Sequence, residues 1–409
     1  MVRYPPMHLD LTYLSVLRDL FGPMLPSRRD ALTLCEVGDV YASVRTAWDA
    51  FLLEKAFPAG SEVVFSALTI PHMADIALAH GLVVVAADLD ESTGLPSETS
   101  LKACLTEKTA CAIVAHLFGN WSDVSLLARL CQNAGVFFLE DCAQCYLGRD
   151  FQGSHAADIS LFSFGTIKRR TALGGAIAIV RNAALRESML RRTAHFTRQS
   201  HTSFLHRLGK ASCLKLATWP PFYTLLVWAI RRLWNDTPDV VLRNMVRGFP
   251  KAAIPGSFRI RPSLFHEWLI RARANGATQK STLARGSQWE HVLTLAPSVS
   301  RRFAGQKSSI RSAWLLPYLS DTPDETKNEL QNHGFDAAHS LTSLAAVAPL
   351  QTPNAVRLLS QIVFLSVPKN RSDGGLETHT VLRQLQLLAR HENQRALPFE
   401  DKAQRELSP

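Results

Sequence analysis

No uninterrupted apolar run in this 409-residue chain reaches the ~20 residues that a membrane-spanning helix needs. The longest candidate, Leu214 to Ile230, is broken by Pro220 and Pro221. The sequence also lacks a cysteine framework: its seven cysteines are odd in number and scattered, which suits a reducing compartment rather than a secreted scaffold. The N-terminal MVRYPPMHLDLTYL carries prolines and an aspartate where an export signal would need a continuous apolar core. A cytoplasmic location is therefore expected. There is no paired zinc-ligand spacing and no Lys/Arg block, so the formal charge of +10 is not read as a nucleic-acid surface. It suits anionic small molecules, or anionic lipid, equally well.

What is present is an ordinary globular composition, 46% hydrophobic and 20% charged. The length exceeds one compact core, so two domains are expected. From Glu62 to Val180 short apolar runs alternate with helical patterns, the mark of βαβ units and a sheet covered on both faces. The expected strands are EVVFSA, LVVVAADL, CAIVAHL, VFFLED, ISLFSF and GAIAIV. PHMADIALAHG and SLLARLCQNAG read as helices, each closed by a glycine suited to a left-handed cap. After Arg181 the chain turns basic, helical and aromatic, and a break at FPKAAIPGS separates a large domain (1–248, with an insertion at 186–248) from a smaller α+β domain (249–409). A frayed polar tail is expected after about His391.

In the 214–234 region Trp219, Phe222, Trp228 and Trp234 alternate beside Arg231 and Arg232. Packing against protein, the chain's own core or a partner subunit, is the preferred reading, with an interfacial helix on anionic lipid as the alternative.

The strongest local signal is SLFSFGTIKRRTALGGAIAIV: a strand, a turn with a lone lysine, a glycine pair and a second strand. It resembles the cofactor-lysine segment of the DegT/StrS sugar aminotransferases. GSEVVFSALTI with VVVAADLD, then AHLFGN, then LEDCAQ match that family in the same order. The resemblance spans roughly Ser43 to Val180. It implies a fold type I pyridoxal 5'-phosphate (PLP) enzyme with a mainly parallel large-domain sheet, acting as a homodimer. The implied reaction moves an amino group, typically from glutamate, to a nucleotide-linked keto sugar, as in polysaccharide biosynthesis. Two rivals share the scaffold: another PLP chemistry, such as sugar dehydration, and a regulatory homologue acting through its basic aromatic surface. Relatives that dehydrate replace the lysine with histidine, whereas this chain keeps Lys168.

On this resemblance Lys168 attaches the cofactor, because a lysine held in a cleft can lose its proton and attack an aldehyde. Asp141, ending an apolar strand, faces the cofactor's ring nitrogen, a cation that offsets the cost of a buried carboxylate. Gln144 would donate to the phenolate oxygen, and Ser163 would contact the phosphate. The helix SVRTAWDAFLLEKAF, capped by Ser43, would present its N-terminal amides at Val44 and Arg45 to the same phosphate. Val44 stands where relatives carry glycine. His72 is the candidate for the ring's open face. His116 matches a family histidine, for packing or catalysis. Glu140 should point away from Asp141 by strand alternation. Cys142 and Cys145 form a C-x-x-C without a second ligand pair, so no metal is expected.

Overall fold

The computed structural model describes residues 3–5, 38–233, 255–276, 278–339, 343–367 and 376–396. A seven-stranded sheet dominates it, built from β1 (Asp39–Tyr41), β2 (Glu62–Ser66), β3 (Val83–Ala87), β4 (Thr109–Ala115), β5 (Phe137–Asp141), β6 (Ile159–Ser163) and β7 (Ala176–Val180). The strand order is β1-β7-β6-β5-β4-β2-β3. Pairing is parallel from β3 through β6, and antiparallel at β6–β7 and β7–β1. The six strands read from the sequence are all present. The short β1 was not read, because three residues carry too little periodicity to register.

Around the sheet lie α1 (Val44–Lys55), α2 (Pro71–Ala79), α3 (Glu98–Cys104) and α4 (Ser125–Asn133). Ser43 caps α1 by accepting from Thr46 N. Gly81 and Gly135, just beyond α2 and α4, take φ of 75° and 70°, the left-handed geometry expected of them. One face of the sheet packs on α1 through Trp48, Phe51, Phe65, Leu139 and Leu161. The other buries Val64, Val114 and Phe138 against α3 and α4. Asp141 shares the parity of Leu139, and Glu140 that of Phe138, so the two neighbouring carboxyls leave the sheet on opposite sides.

Beyond β7 come α5 (Ala183–Ala194), α6 (His201–Ala217) and α7 (Pro220–Leu233). The expected domain boundary near Gly248 lies outside the described residues, as does Trp234. Helix α8 (Leu264–Asn275), capped by Ser263, packs Leu269, Ile270 and Ala274 with Tyr146, Phe162 and Phe164 of the sheet domain. Phe258 likewise joins the α1 cluster. The C-terminal α+β layer has its own core, in which Trp289, Tyr318, Leu330, Phe335 and Leu385 meet. That core is formed by α9 (Gln279–Thr294), β8 (Pro317–Leu319), α10 (Pro323–Asn332), β9 (Ile362–Phe364) and α11 (Thr378–Ala396), with β8 and β9 antiparallel.

Of the tail after His391, α11 takes in the residues to Ala396, and 397–409 lie outside the described residues. Glu392 accepts a 2.8 Å hydrogen bond from Tyr318 Oη and pairs with Arg302 at 3.0 Å. A polar sequence pattern cannot reveal such a remote anchor. In the 214–234 region the expected packing on protein is present on one face. Ala211, Leu214, Tyr223 and Val227 pack on Leu173, while the opposite face of α6 and α7 is exposed.

Candidate active site

The site forms where β5, β6 and the N-terminus of α1 come together. After β6 the chain makes a closed loop: the amides of Ala172 and Gly174 both donate to Phe164 O at 3.0 Å. Phe164 N donates in turn to Gly175 O, and Gly175 N to Ala42 O, two residues before Val44. These bonds set the lysine loop beside the start of α1. Both glycines of the pair have positive φ, and a Cβ on Gly175 would collide with Ile270. The glycine pair thus lets α8 close over the loop.

Lys168 sits at the tip of this loop, its amide donating to Gly165 O at 2.9 Å. Its ammonium lies 4.6 Å from the centre of the Trp314 ring and makes no hydrogen bond among the described residues. Burial lowers the Lys168 pKa to about 8, against the opposing attraction of Asp141. Asp141 is buried at the end of β5, where desolvation pushes its carboxyl above the usual range. The Ala143 amide, donating to Asp141 Oδ1 at 2.8 Å, and the Lys168 charge both oppose that rise. Asp141 is buried and Lys168 half-buried, their charges interact, and each is perturbed mainly by desolvation.

Gln144 accepts from Phe118 N at 2.9 Å, which fixes its amide; no acceptor takes its NH2 group among the described residues. Ser163 Oγ accepts from Gly165 N at 3.3 Å. A Cβ placed on Gly165 would touch both Ser163 Oγ, at 3.5 Å, and Lys168 Cγ, at 3.7 Å, so hydroxyl and lysine stem flank the same side of the turn. Ser43 Oγ is engaged by Thr46, through its amide and its hydroxyl. Arg45 donates to His72 Nδ1 at 3.2 Å, and its guanidinium lies 4.8 Å from the centre of the Phe258 ring. The His72 ring is tilted on Phe258 as well, at 5.9 Å. Lys168, Asp141, Gln144 and Ser163 thus gather around the strand ends, and Ser43, Val44, Arg45 and His72 around the adjoining helix start.

Sequence reading missed the residues that hold the lysine loop. Trp314 Nε1 donates to Ile167 O at 3.2 Å, Arg169 to Ser312 O at 3.2 Å, and His266 Nε2 to Ala172 O at 3.0 Å. Burial lowers the His266 pKa to about 4, which keeps it neutral. Trp314, Ser312 and His266 are remote from Lys168 in sequence, and their segments carry only generic helix or strand patterns.

Behind the sheet, Glu140 accepts from His116 Nε2 (2.8 Å), Trp121 Nε1 (2.9 Å), Ser154 N (2.7 Å) and Ser160 Oγ (2.8 Å). His116, Glu140 and Cys142 place one ligand-type atom each within 4.8 Å of one another. Both Glu140 oxygens are already occupied, however, and burial drives the Cys142 and Cys145 thiols well above their usual pKa. The triad is a structural hydrogen-bond network. Although burial opposes it, these donors bring the Glu140 pKa from 4.5 down to about 2. Its stabilisation is thus complete above about pH 4.5 and is lost as pH falls towards 2. Glu140→Ala should cost about 3–5 kcal/mol, because it strands four buried donors. Urea unfolding at neutral pH measures this, and a loss under 1 kcal/mol on the order of a surface change would reject the network's role.

A buried carboxylate, an amine with depressed pKa, a side-chain amide whose NH2 group has no acceptor among the described residues, and a hydroxyl on the turn below the lysine match the groups of PLP: ring nitrogen, aldehyde, phenolate and phosphate. The residues present fit that cofactor. The fold is that of a fold type I PLP-transferase large domain, with a mainly parallel seven-stranded sheet. Residues 42–214 match the DegT/DnrJ/EryC1/StrS aminotransferase family.

Among curated relatives, the chain is 27% identical over 161 residues to GDP-perosamine synthase of Escherichia coli O157:H7, covering 38% of this chain and 43% of that protein. It is 31% identical over 130 residues to L-glutamine:2-deoxy-scyllo-inosose aminotransferase of Streptomyces fradiae, 31% of this chain and 30% of that one. The matches thus span less than half the length of these relatives. The whole fold resembles Helicobacter pylori PseC, an aminotransferase involved in the biosynthesis of pseudoaminic acid (TM-score 0.56, 15% identity, 93% of this chain and 92% of that). It also resembles Bacillus subtilis NtdA, solved with bound cofactor PMP (TM-score 0.62, 13% identity, 93% and 83%).

Proposed function

We propose that this chain is a PLP-dependent aminotransferase that moves an amino group, from glutamate, to the keto group of a nucleotide-linked sugar, working as a cytoplasmic homodimer. The observation that carries this reading is that Lys168, on the loop closed beside the start of α1, and Asp141, buried at the end of β5, interact through their charges. Lys168 Nζ would hold the cofactor's aldehyde carbon and, when free, would take and return the substrate proton. A pKa of about 8 leaves a usable fraction of neutral amine near neutral pH. PLP, when bound, supplies the electron sink that lets that proton leave. Asp141 keeps the ring nitrogen charged, and its own desolvation is offset by that charge.

Gln144 directs its NH2 group to the phenolate, and Ser163 with the amides of Val44 and Arg45 receives the phosphate. Ser43 serves as the helix cap and so orients those amides. His72, held by Arg45, would offer its imidazole to the open face of the ring. The sugar-acceptor part draws its support from the names of the partly matching relatives.

Purified protein incubated with PLP should absorb in the visible and should convert glutamate to 2-oxoglutarate when supplied with nucleotide-linked keto sugars. Glutamine should be run as a parallel donor. A protein that stays colourless with PLP and turns over neither donor would refute the assignment and favour a regulatory homologue.

A further inference from the structure

We infer that the α6–α7 hairpin is a docking surface for an anionic phospholipid bilayer, holding the protein on the membrane face without crossing it. The two helices are joined at Thr218 and Trp219 and stand on the sheet domain by a buried stripe of Ala211, Leu214, Tyr223 and Val227. Their opposite stripe is apolar and exposed. Leu205, Leu216, Trp219, Phe222, Leu225 and Trp228 are each 50% to 63% exposed. Phe222, Leu225 and Trp228 recur at helical spacing on one side of α7, and Leu205 and Leu216, three turns apart, share one side of α6. Scattered apolar side chains need no explanation, but a contiguous aromatic stripe does.

The charge around this stripe narrows what can cover it. Between Glu187 and Asp236 there is no acidic residue, whereas Lys and Arg occur eight times. Lys210 and Arg232 are exposed on the hairpin itself. A second copy is a poor occupant. A two-fold contact would set this acid-free segment against itself, and any other face belongs to a chain of net charge +10. A bilayer rich in anionic headgroups offers the complementary charge together with an apolar layer for Trp and Phe, residues that favour the interface.

Helices of 17 and 14 residues are about 26 and 21 Å long, shorter than the ~30 Å hydrocarbon core. Among the described residues no helix is long and apolar enough to cross a membrane. The hairpin therefore lies in the interface plane.

The test is flotation of the full-length PLP-loaded protein with vesicles of phosphatidylglycerol and phosphatidylcholine, and with phosphatidylcholine alone. At ~0.15 M salt the protein should float with the anionic vesicles and largely remain behind with neutral ones, and high salt should release it. Lys210→Glu/Arg232→Glu should weaken partitioning about tenfold or more. Phe222→Glu/Trp228→Glu should abolish it while the visible absorbance of bound PLP is retained. Brominated phosphatidylcholine mixed into the anionic vesicles should quench the wild-type tryptophan fluorescence, a readout that needs no variant.

Failure to float with anionic vesicles, or flotation unaffected by either double substitution, overturns the proposal. If Phe222→Glu/Trp228→Glu instead reduces the sedimentation coefficient of a protein that ignores vesicles, a second copy covers this face and the bilayer assignment is wrong.

Discussion

Lys168→Ala is expected to abolish amino transfer, leaving less than about one-thousandth of the wild-type rate. Both functions proposed for Nζ, holding the cofactor carbon and moving the substrate proton, disappear with the side chain. No neighbour can take over. Lys168 is the only lysine between Lys108 and Lys210, and the adjoining Arg169 and Arg170 carry guanidinium groups, which do not serve as amine nucleophiles. Borohydride treatment of the PLP-loaded wild type should fix a pyridoxyl group on Lys168 alone, as peptide mass mapping would show.

The fold should survive, because the loop is held by main-chain bonds to Phe164 and by Trp314 and His266 rather than by the lysine. Burial lowers the folded-state pKa to about 8 from 10.5, so the neutral amine gains as pH rises through about 8. Capture of PLP by the cofactor-free protein should accelerate over that range. A mutant that retains substantial transfer, or a label that maps elsewhere, removes the central assignment.

Asp141→Asn should lower kcat by about 10²–10⁴, the range expected when an electrostatic partner of the reacting group is lost. The amide matches the carboxylate in shape, so the Ala143 amide keeps its acceptor at residue 141 and folding is preserved. What is lost is the negative charge. A neutral side chain no longer favours protonation of the ring nitrogen, and it no longer attracts the Lys168 ammonium. Since Asp141 raises the Lys168 pKa, the variant's amine should titrate below about 8, and the pH dependence of PLP capture should move the same way. Turnover within a few-fold of wild type, with an unshifted pH profile, would remove Asp141 from the site. Glu140 is no substitute, because it faces the other side of the sheet in a closed network.

Much of this was legible in the chain itself. Apolar alternation gave the six longer strands, glycine placement gave the ends of α2 and α4, and Ser43 announced the start of α1. These are local signals, set by backbone preference and by periodicity over a few residues. The lone lysine between a strand and a glycine pair, and an aspartate closing an apolar strand, marked the two groups whose charges interact in the folded chain.

Other features depended on contacts between distant segments. The strand β1 is defined by its pairing with β7, and its three residues say nothing alone. Trp314 under the Lys168 ammonium, and His266 on the loop's carbonyl, lie 146 and 98 residues away from the lysine in the chain, so no window of sequence could associate them. The tail residue Glu392 is ordered by Tyr318 and Arg302 rather than by its own polar neighbours.

The sequence determined which groups could do chemistry and on which element each stands, because those follow from residue type and short-range pattern. The tertiary structure alone shifted their pKa values, downward for Lys168 and upward for Asp141. Depressing the amine of Lys168 and raising the carboxyl of Asp141 both require water to be displaced by segments folded in from elsewhere, and desolvation is a property of the packed surroundings and not of the residue.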